Sequence, residues 1–374
     1  MCDTPFIITT QSGNVKVNVP DHPIEPKETD MSHTMIQSLF ARTHTLPQAI
    51  EAAVMASPVM ASPRLDSRTK AKLALTYDLT GLVSVDEILA HTSTNFVPTL
   101  KVPAIGHAVI PGWRAVVRED TGSVFGFVSP KYQPNRHIDH MMAVDPLVRS
   151  GDLRPVNASV WGGGAMIAYQ FEAPALTAMV GTSDNVSPLL TLAFRNDGQG
   201  GDRSFFSAFR FFCLNQMGQV GKISASVRHG AGIIGNYADA LMNSVRQLQA
   251  DMPAQFQAYK KLATCQRRLS NTETIEYFGK VFEFDGIEVL ERLNKDEKVT
   301  AGHVKALDGL TQALEQERRM PGVSDVWSAY NAVTRYTTHA IGRSEALRTQ
   351  RAIFDNGKVY TRALDAAVAL TGGL

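Results

Sequence analysis

The sequence predicts an α+β fold, an antiparallel strand-rich core packed with a helical C-terminal part. Three observations carry this. Between about residues 96 and 235, short apolar runs alternate with polar residues and are bounded by Gly, Asn and Asp, the pattern of strands. Beyond Gly235 the apolar spacing changes to threes and fours, the pattern of helices. Strand and helix signals are segregated rather than alternating, which separates this class from α/β folds. The chain divides accordingly into residues 1–95, an arm with helices, residues 96–235, the strand-rich core, and residues 236–374, the helical region.

Taken in order, the first segment lacks apolar periodicity and carries PDHPIEP, an extended arm. LPQAIEAAVMA, with Pro47 in a first-turn position, and SRTKAKLALTYDLTG, from a Ser67 cap to a Gly81 stop, predict two helices. WRAVVRE and SVFGFVS flank Asp120-Thr121-Gly122 and predict a hairpin. Asn135 is placed to cap a helix over RHIDHMMAVDPLVRSG. VNASVWG, AMIAYQFE, PLLTLAFR, RSFFSAFRFFC and KISASVR predict strands, with NDGQGGDR as a hairpin loop. The helical region reads as NYADALMNSVRQLQAD, PAQFQAYKKLATCQRRL, TETIEYFGKVF, GIEVLERLN, VTAGHVKALDGLTQALEQERR and SDVWSAYNAVTRYTTHAIG.

Composition excludes several classes. The formal net charge of +1 over 374 residues rules out a globally basic protein, so any polyanion contact must rest on how charge is distributed. Cys2, Cys213 and Cys265 form no CxxC pair, and neither a disulfide framework nor a zinc ribbon is indicated. The N-terminus lacks a signal-peptide pattern and no apolar run is long enough to span a bilayer, so a cytoplasmic protein without membrane contact is expected.

The stretch RSFFSAFRFFCLNQMGQVGKISASVRHG holds Phe205, Phe206, Phe209, Phe211 and Phe212 with Arg203, Arg210, Lys222 and Arg228, and no acidic residue. Alternation puts Lys222, Ser224, Ser226 and Arg228 on one side of a strand, a basic outer face. Phenylalanines on both sides of residues 203–213 predict a central strand covered on both faces. Arg210, set among them, either pairs with a carboxylate such as Asp197 or Asp202 or meets an external anion. Arg246, Lys260, Lys261, Arg267 and Arg268 extend the basic run, against Asp239 and Asp251 alone, whereas TETIEYFGKVFEFDGIEVLE is acidic. A basic stripe with aromatics is the footprint of single-strand binding, and a solvated face is its simpler alternative. On the last named helix Trp327, Asn331, Arg335 and His339 share a stripe, which either lines a groove or faces solvent. His137 and His140, one helical turn apart, have no third ligand at a recognisable spacing, and the glycine runs lack a P-loop lysine. No metal or other cofactor is expected, and no nucleophile stands in an elbow context.

GWRAVVREDTGSVFGFVSPKYQPN, LAFRNDGQGGDRSFFSAFRFFCLNQM, SVRHG and WSAYNAVTRYTTH, in this order and spacing, resemble the phage- and plasmid-like family known as domain of unknown function 932, over residues 106–343. Where that family has a loop of Asn-Ser-His-Asp-Gly type, this chain has Arg195-Asn196-Asp197-Gly198, without the histidine; Arg228-His229 and Tyr330-Asn331 match. The resemblance implies a mobile genetic element, a setting rich in proteins that handle DNA. The expectation is a DNA-binding protein without chemistry of its own, preferring single strands and assisting recombination or replication, as a homo-oligomer where annealing requires one. Its contacts would come from Arg203, Arg210, Lys222, Arg228, His229, Lys260, Lys261, Arg267, Arg268, Asn331 and Arg335. Two alternatives stand beside it. One is a protein that inhibits a host restriction or defence factor through the acidic stretch 283–291; the other is an enzyme with a site around Arg228, His229, Asn331, Arg335 and His339.

Overall fold

A computed structural model of the chain describes residues 75–105, 107–181, 184–210, 215–227, 229, 237–320, 323–341, 348–350, 353 and 357–372, with residues 215–227 described by their backbone. These residues belong to one unit, Thr45–Leu374. The arm and the helix expected at LPQAIEAAVMA lie outside them.

The strands are β1 (Leu75–Asp78), β2 (Pro98–Lys101), β3 (Ala104–Ile105), β4 (Ala108–Val109), β5 (Arg114–Arg118), β6 (Val124–Val128), β7 (Arg154–Trp161), β8 (Met166–Glu172), β9 (Ala178–Val180), β10 (Asp184–Arg195), β11 (Asp202–Arg210) and β12 (Asn215–Val227). Three short helices, α1 (Val85–His91), α2 (His137–Met142) and α3 (Asp145–Ser150), sit among them. Beyond them come α4 (Tyr237–Thr264), α5 (Asn271–Phe282), α6 (Gly286–Asn294), α7 (Ala301–Arg318), α8 (Asp325–Arg335) and α9 (Gly357–Leu370). None of the described helices is long and apolar enough to cross a membrane.

The main sheet is antiparallel with strand order β1-β7-β8-β10-β11-β12, and β9 pairs the other half of the edge of β10 that β8 occupies. A second sheet, β2-β5-β6, contains the expected hairpin, whose Gly122 turns at φ 73°. β3 and β4 form a separate two-stranded ribbon. β11 is central, as its two-sided aromatic pattern implies. Phe206 joins the large core with Tyr169, Leu190, Leu192 and Phe194, which continues into Tyr259, Phe278, Trp327 and Tyr330 of the helices. Phe205 faces the other way, against Trp161, Met166, Ala168, Ala193 and Ile353.

Four expectations are corrected. LTYD is not the end of a helix but strand β1, whose backbone pairs with β7 in the register Leu75↔Val160 to Asp78↔Asn157. RHIDHMMAVDPLVRSG breaks into α2 and α3, and the side chain of Asn135 turns inward to Asp202 instead of capping α2. The two helices expected on either side of Pro253 are one helix, α4. Burial of Leu248, Met252, Phe256, Tyr259 and Leu262 along one face outweighs the donor lost at an exposed proline. Finally, α8 has neither a groove-lining nor a solvated stripe, because every residue from Val326 to Thr334 is buried.

The hairpin β5–β6 lies against the loop between β10 and β11. A Cβ on Gly126 would sit 2.4 Å from the backbone oxygen of Asp197, and one on Gly198, at φ 72°, would sit 2.3 Å from Val128 Cγ1. Gly126→Ala is therefore expected to destabilise the protein by about 1–3 kcal/mol, since a backbone oxygen cannot swing aside. A urea midpoint equal to wild type would contradict this packing.

Candidate functional site

The loop at residues 195–202 is the first place where polar groups converge. Arg195 grips Asp197 through Nε at 3.2 Å and Nη2 at 2.9 Å, and the Gln199 N–H donates to Asp197 Oδ1 at 3.0 Å. Asn196 Nδ2 donates to the Gly164 carbonyl at 2.8 Å. The sequence reads this segment as a polar turn, and its tip Gly198–Gly200 is exposed, yet the flanking Asn196, Asp197 and Asp202 are buried.

Asp202 is the centre of a histidine-carboxylate network. Its Oδ1 accepts from the Arg195 N–H at 3.1 Å and its Oδ2 from Asn135 Nδ2 at 3.0 Å. His140 Nδ1 stands 3.4 Å from Oδ2, and His229 Nε2 3.2 Å from Oδ1. The Asn135 N–H donates to His229 Nδ1 at 3.0 Å, which leaves the ring proton on Nε2, facing the carboxylate. The ring of Tyr132 stacks on that imidazole at 5.1 Å. Burial works against ionisation of Asp202, but hydrogen bonds from His140, His229 and Asn135 outweigh it and hold the carboxyl well below its usual range. Burial, with Asp202 and Asp197 nearby, pushes the Tyr132 hydroxyl far up. His137 donates from Nε2 to the Thr94 carbonyl at 2.7 Å, and burial lowers its pKa to about 4. His137 and His140 thus serve different partners, and among the described residues no group of three or more His, Cys, Asp or Glu side chains is arranged to hold a metal ion. The His229–Asp202 pair has the form of a base with its orienting acid, but both side chains are almost wholly buried, so they fasten elements together.

The second network surrounds Arg210, which is fully buried on the helix side of β11. Nη2 pairs with Asp184 Oδ2 at 2.6 Å and Nη1 with Glu317 Oε2 at 2.5 Å. Trp327 Nε1 donates to the same Asp184 oxygen at 2.8 Å, with the guanidinium 5.8 Å from its ring centroid. Arg335 Nη1 donates to Glu317 Oε1 at 3.3 Å. Two cations and two anions sum to zero, the condition under which such a group is tolerated in a core. Arg210 is therefore a structural arginine, as one of its two expected readings had it. Its carboxylates are Asp184 and Glu317, not Asp197 or Asp202, and it has no face for an external anion.

The remaining candidates divide clearly. Asn331 is buried and donates to the Trp327 carbonyl within α8, and Arg335 is held by Glu317. His229 belongs to the Asp202 network, apart from Asn331 and Arg335, and His339 lies exposed beyond α8. Arg203, Lys260 and Arg268 are exposed. Lys261 is half-buried. Arg267 donates to the Leu370 carbonyl at 2.8 Å and to Glu273 at 2.5 Å. Arg228 and the side chain of Lys222 lie outside the described residues. The partners of Arg210 leave one trace in the sequence, because Leu307, Leu310, Leu314 and Glu317 continue a single apolar stripe, which sets a carboxylate in core register.

An antiparallel sheet clasped by a helical layer, with its ionic networks sealed inside, defines an α+β protein without an open catalytic constellation among its described residues. The family described as Domain of unknown function (DUF932) matches residues 124–363, well over half of the 374, and the chain belongs to it. No curated protein and no solved structure matches the chain.

Two outcomes follow from the networks. Arg210→Met strands two buried carboxylates with Arg335 alone to balance them, and is expected to cost about 3–5 kcal/mol in equilibrium unfolding; a loss below about 1 kcal/mol would refute the assignment. Acid should weaken the fold. The His137 pKa is about 6.5 in an unfolded chain and about 4 in the fold. The unfolded state thus binds more protons between these values, and stability falls by on the order of 3 kcal/mol as pH drops through that window. The lowered Asp202 adds a loss at still lower pH. Urea midpoints measured across this window check the slope, and a flat profile would contradict the neutral, buried His137.

Proposed function

We propose that the protein binds single-stranded DNA through an exposed basic surface, without chemistry of its own, and assists recombination or replication of a mobile element. The observation that carries the reading is the outer face of α4. From Asn243 onward its exposed residues, Asn243, Arg246, Gln247, Ala250, Pro253, Ala254, Gln257, Lys260 and Thr264, include no carboxylate, the exposed Asp239 being confined to the first turn, and Arg267 and Arg268 follow directly. Asp251, half-buried, accepts from Gln247 at 2.9 Å, and Glu273 is engaged by Ser270 and Arg267, which lower its pKa to about 2. A 28-residue helix spans about 42 Å, long enough to follow several nucleotides of an extended strand. Arg203, at the exposed end of β11, and Lys222 and Arg228 of the following segment belong to the same proposal. Arg210, Asn331, Arg335 and His229 leave it, because their polar groups are committed inside the fold.

Anisotropy of a labelled single-stranded oligonucleotide at several salt concentrations tests this. Binding should weaken with salt, and Lys260→Ala/Arg268→Ala should reduce the log-log slope by about 1.4, two contacts at roughly 0.7 each. Absence of binding at low salt would sink the proposal.

A further inference from the structure

Among the described residues, the ribbon β3–β4 carries the most concentrated exposed apolar surface. It is two strands of two residues, Ala104↔Val109 and Ile105↔Ala108, closed below by the Ile110 N–H donating to the Pro103 carbonyl at 2.9 Å. A two-stranded ribbon is marginal in water by itself. Here its side chains add no shelter, because Val102 is 51% exposed, Ile105 75%, Val109 60% and Trp113 45%. Most of the large apolar side chains exposed among the described residues thus fall within one short segment. No carboxylate and no amine interrupts residues 102–113; His107 is the one ionisable side chain.

The root of the ribbon is cationic. Lys101 pairs in register with Ala115, and Arg114 with Val128, so the chain enters and leaves the ribbon at one end of the β2–β5–β6 sheet. Lys131, three residues after the end of β6, is exposed, as is Lys101, while the half-buried Arg114 donates from Nη1 to its own Trp113 carbonyl. The acidic residues of this sheet's segment, Glu119 and Asp120, lie at the opposite end, where Asp120 is bound by Arg118 at 2.7 Å.

We propose that this ribbon is the base-contacting element of the single-strand interface: Trp113 stacks on a base, Ile105 and Val109 pack against its neighbours, and Lys101, Arg114 and Lys131 meet phosphates. The proposal rests on the DNA-binding reading above and deepens it. Charge decides between occupants. A second copy would bring the same cations together across a two-fold contact, whereas a polyanion neutralises them. The side chains decide the form of nucleic acid. Ile, Val and Trp faces carry no donor or acceptor to read base edges in a groove, but they match the unstacked faces that a single strand offers to any sequence.

Tryptophan emission isolates the contact, because Trp161 and Trp327 are 0% and 1% exposed and Trp113 alone among the three meets solvent. Titration of the full chain with oligo(dT) should quench that emission. Trp113→Ala should remove the quenching and weaken binding roughly 5- to 150-fold, the equivalent of one stacked base. Thermal unfolding of the variant should match wild type, since the side chain is exposed, and Ile105→Ser should weaken binding without loss of the tryptophan. Wild-type binding with no quenching, and with both variants binding as well as wild type, would overturn the ribbon's role and leave the DNA-binding reading intact. No wild-type binding would end both. Concentration-dependent self-association abolished by Ile105→Ser, with oligonucleotide binding unaffected, would assign the ribbon to a second copy and refute the proposal.

Discussion

The ion pairs of Arg210 are the constraint around which the architecture closes. A guanidinium on the central strand, fully inside the core, must be neutralised by groups that reach it through apolar packing. Asp184 reaches it from the neighbouring strand β10, Glu317 from α7, and Trp327 of α8 binds the same Asp184 oxygen. Burial of apolar area alone would let the helical layer slide over the sheet, since it is non-directional. The charges remove that freedom by specifying which residue of each helix faces which strand.

The Asp202 network has the same logic at the other end of β11. Asp202 begins that strand, Asn135 precedes α2, His140 lies within it, and His229 follows β12. One carboxylate therefore ties a hairpin loop, a short helix and the exit of the last strand. The two networks together account for the charged side chains buried on β11, Asp202 and Arg210. Residues with evident chemical potential are thus sealed inside, while plain lysines and arginines remain outside.

Much of the fold was legible because period and punctuation are local properties. Strands β5 to β8, β10 and β11 and helices α5 to α8 follow alternation, glycine-bearing turns and caps such as the Ser270–Glu273 capping box, whereas β9 and α9 fall outside the sequence reading. Where the reading failed, tertiary contact overrode a local rule. LTYD became an edge strand because β7 offered a partner, Pro253 was carried within α4 by a continuous apolar face, and Asn135 exchanged a cap for a buried carboxylate. The candidate site was less legible, since pairs such as Arg210 with Glu317, separated by 107 residues, are invisible to any window along the chain. The ribbon escaped for the opposite reason. Val102, Ile105, Val109 and Trp113 look like core residues, and only three-dimensional exposure distinguishes them.

The long reach of Glu317 also orders events during synthesis. The strand hairpins β7–β8, β10–β11 and β11–β12 join near neighbours in sequence and can pair as soon as their residues are made. Arg210 then has Asp184 beside it but not its second carboxylate, which is translated 107 residues later. Domains are completed on the ribosome from the N-terminus forward. The nascent sheet consequently passes through an interval in which the Arg210–Asp184 ion pair stands uncovered on the face destined for the helices. That exposed ion pair favours keeping the face hydrated and disfavours premature collapse until α7 emerges. A residue that fastens the finished protein thereby also acts as a timer for its assembly.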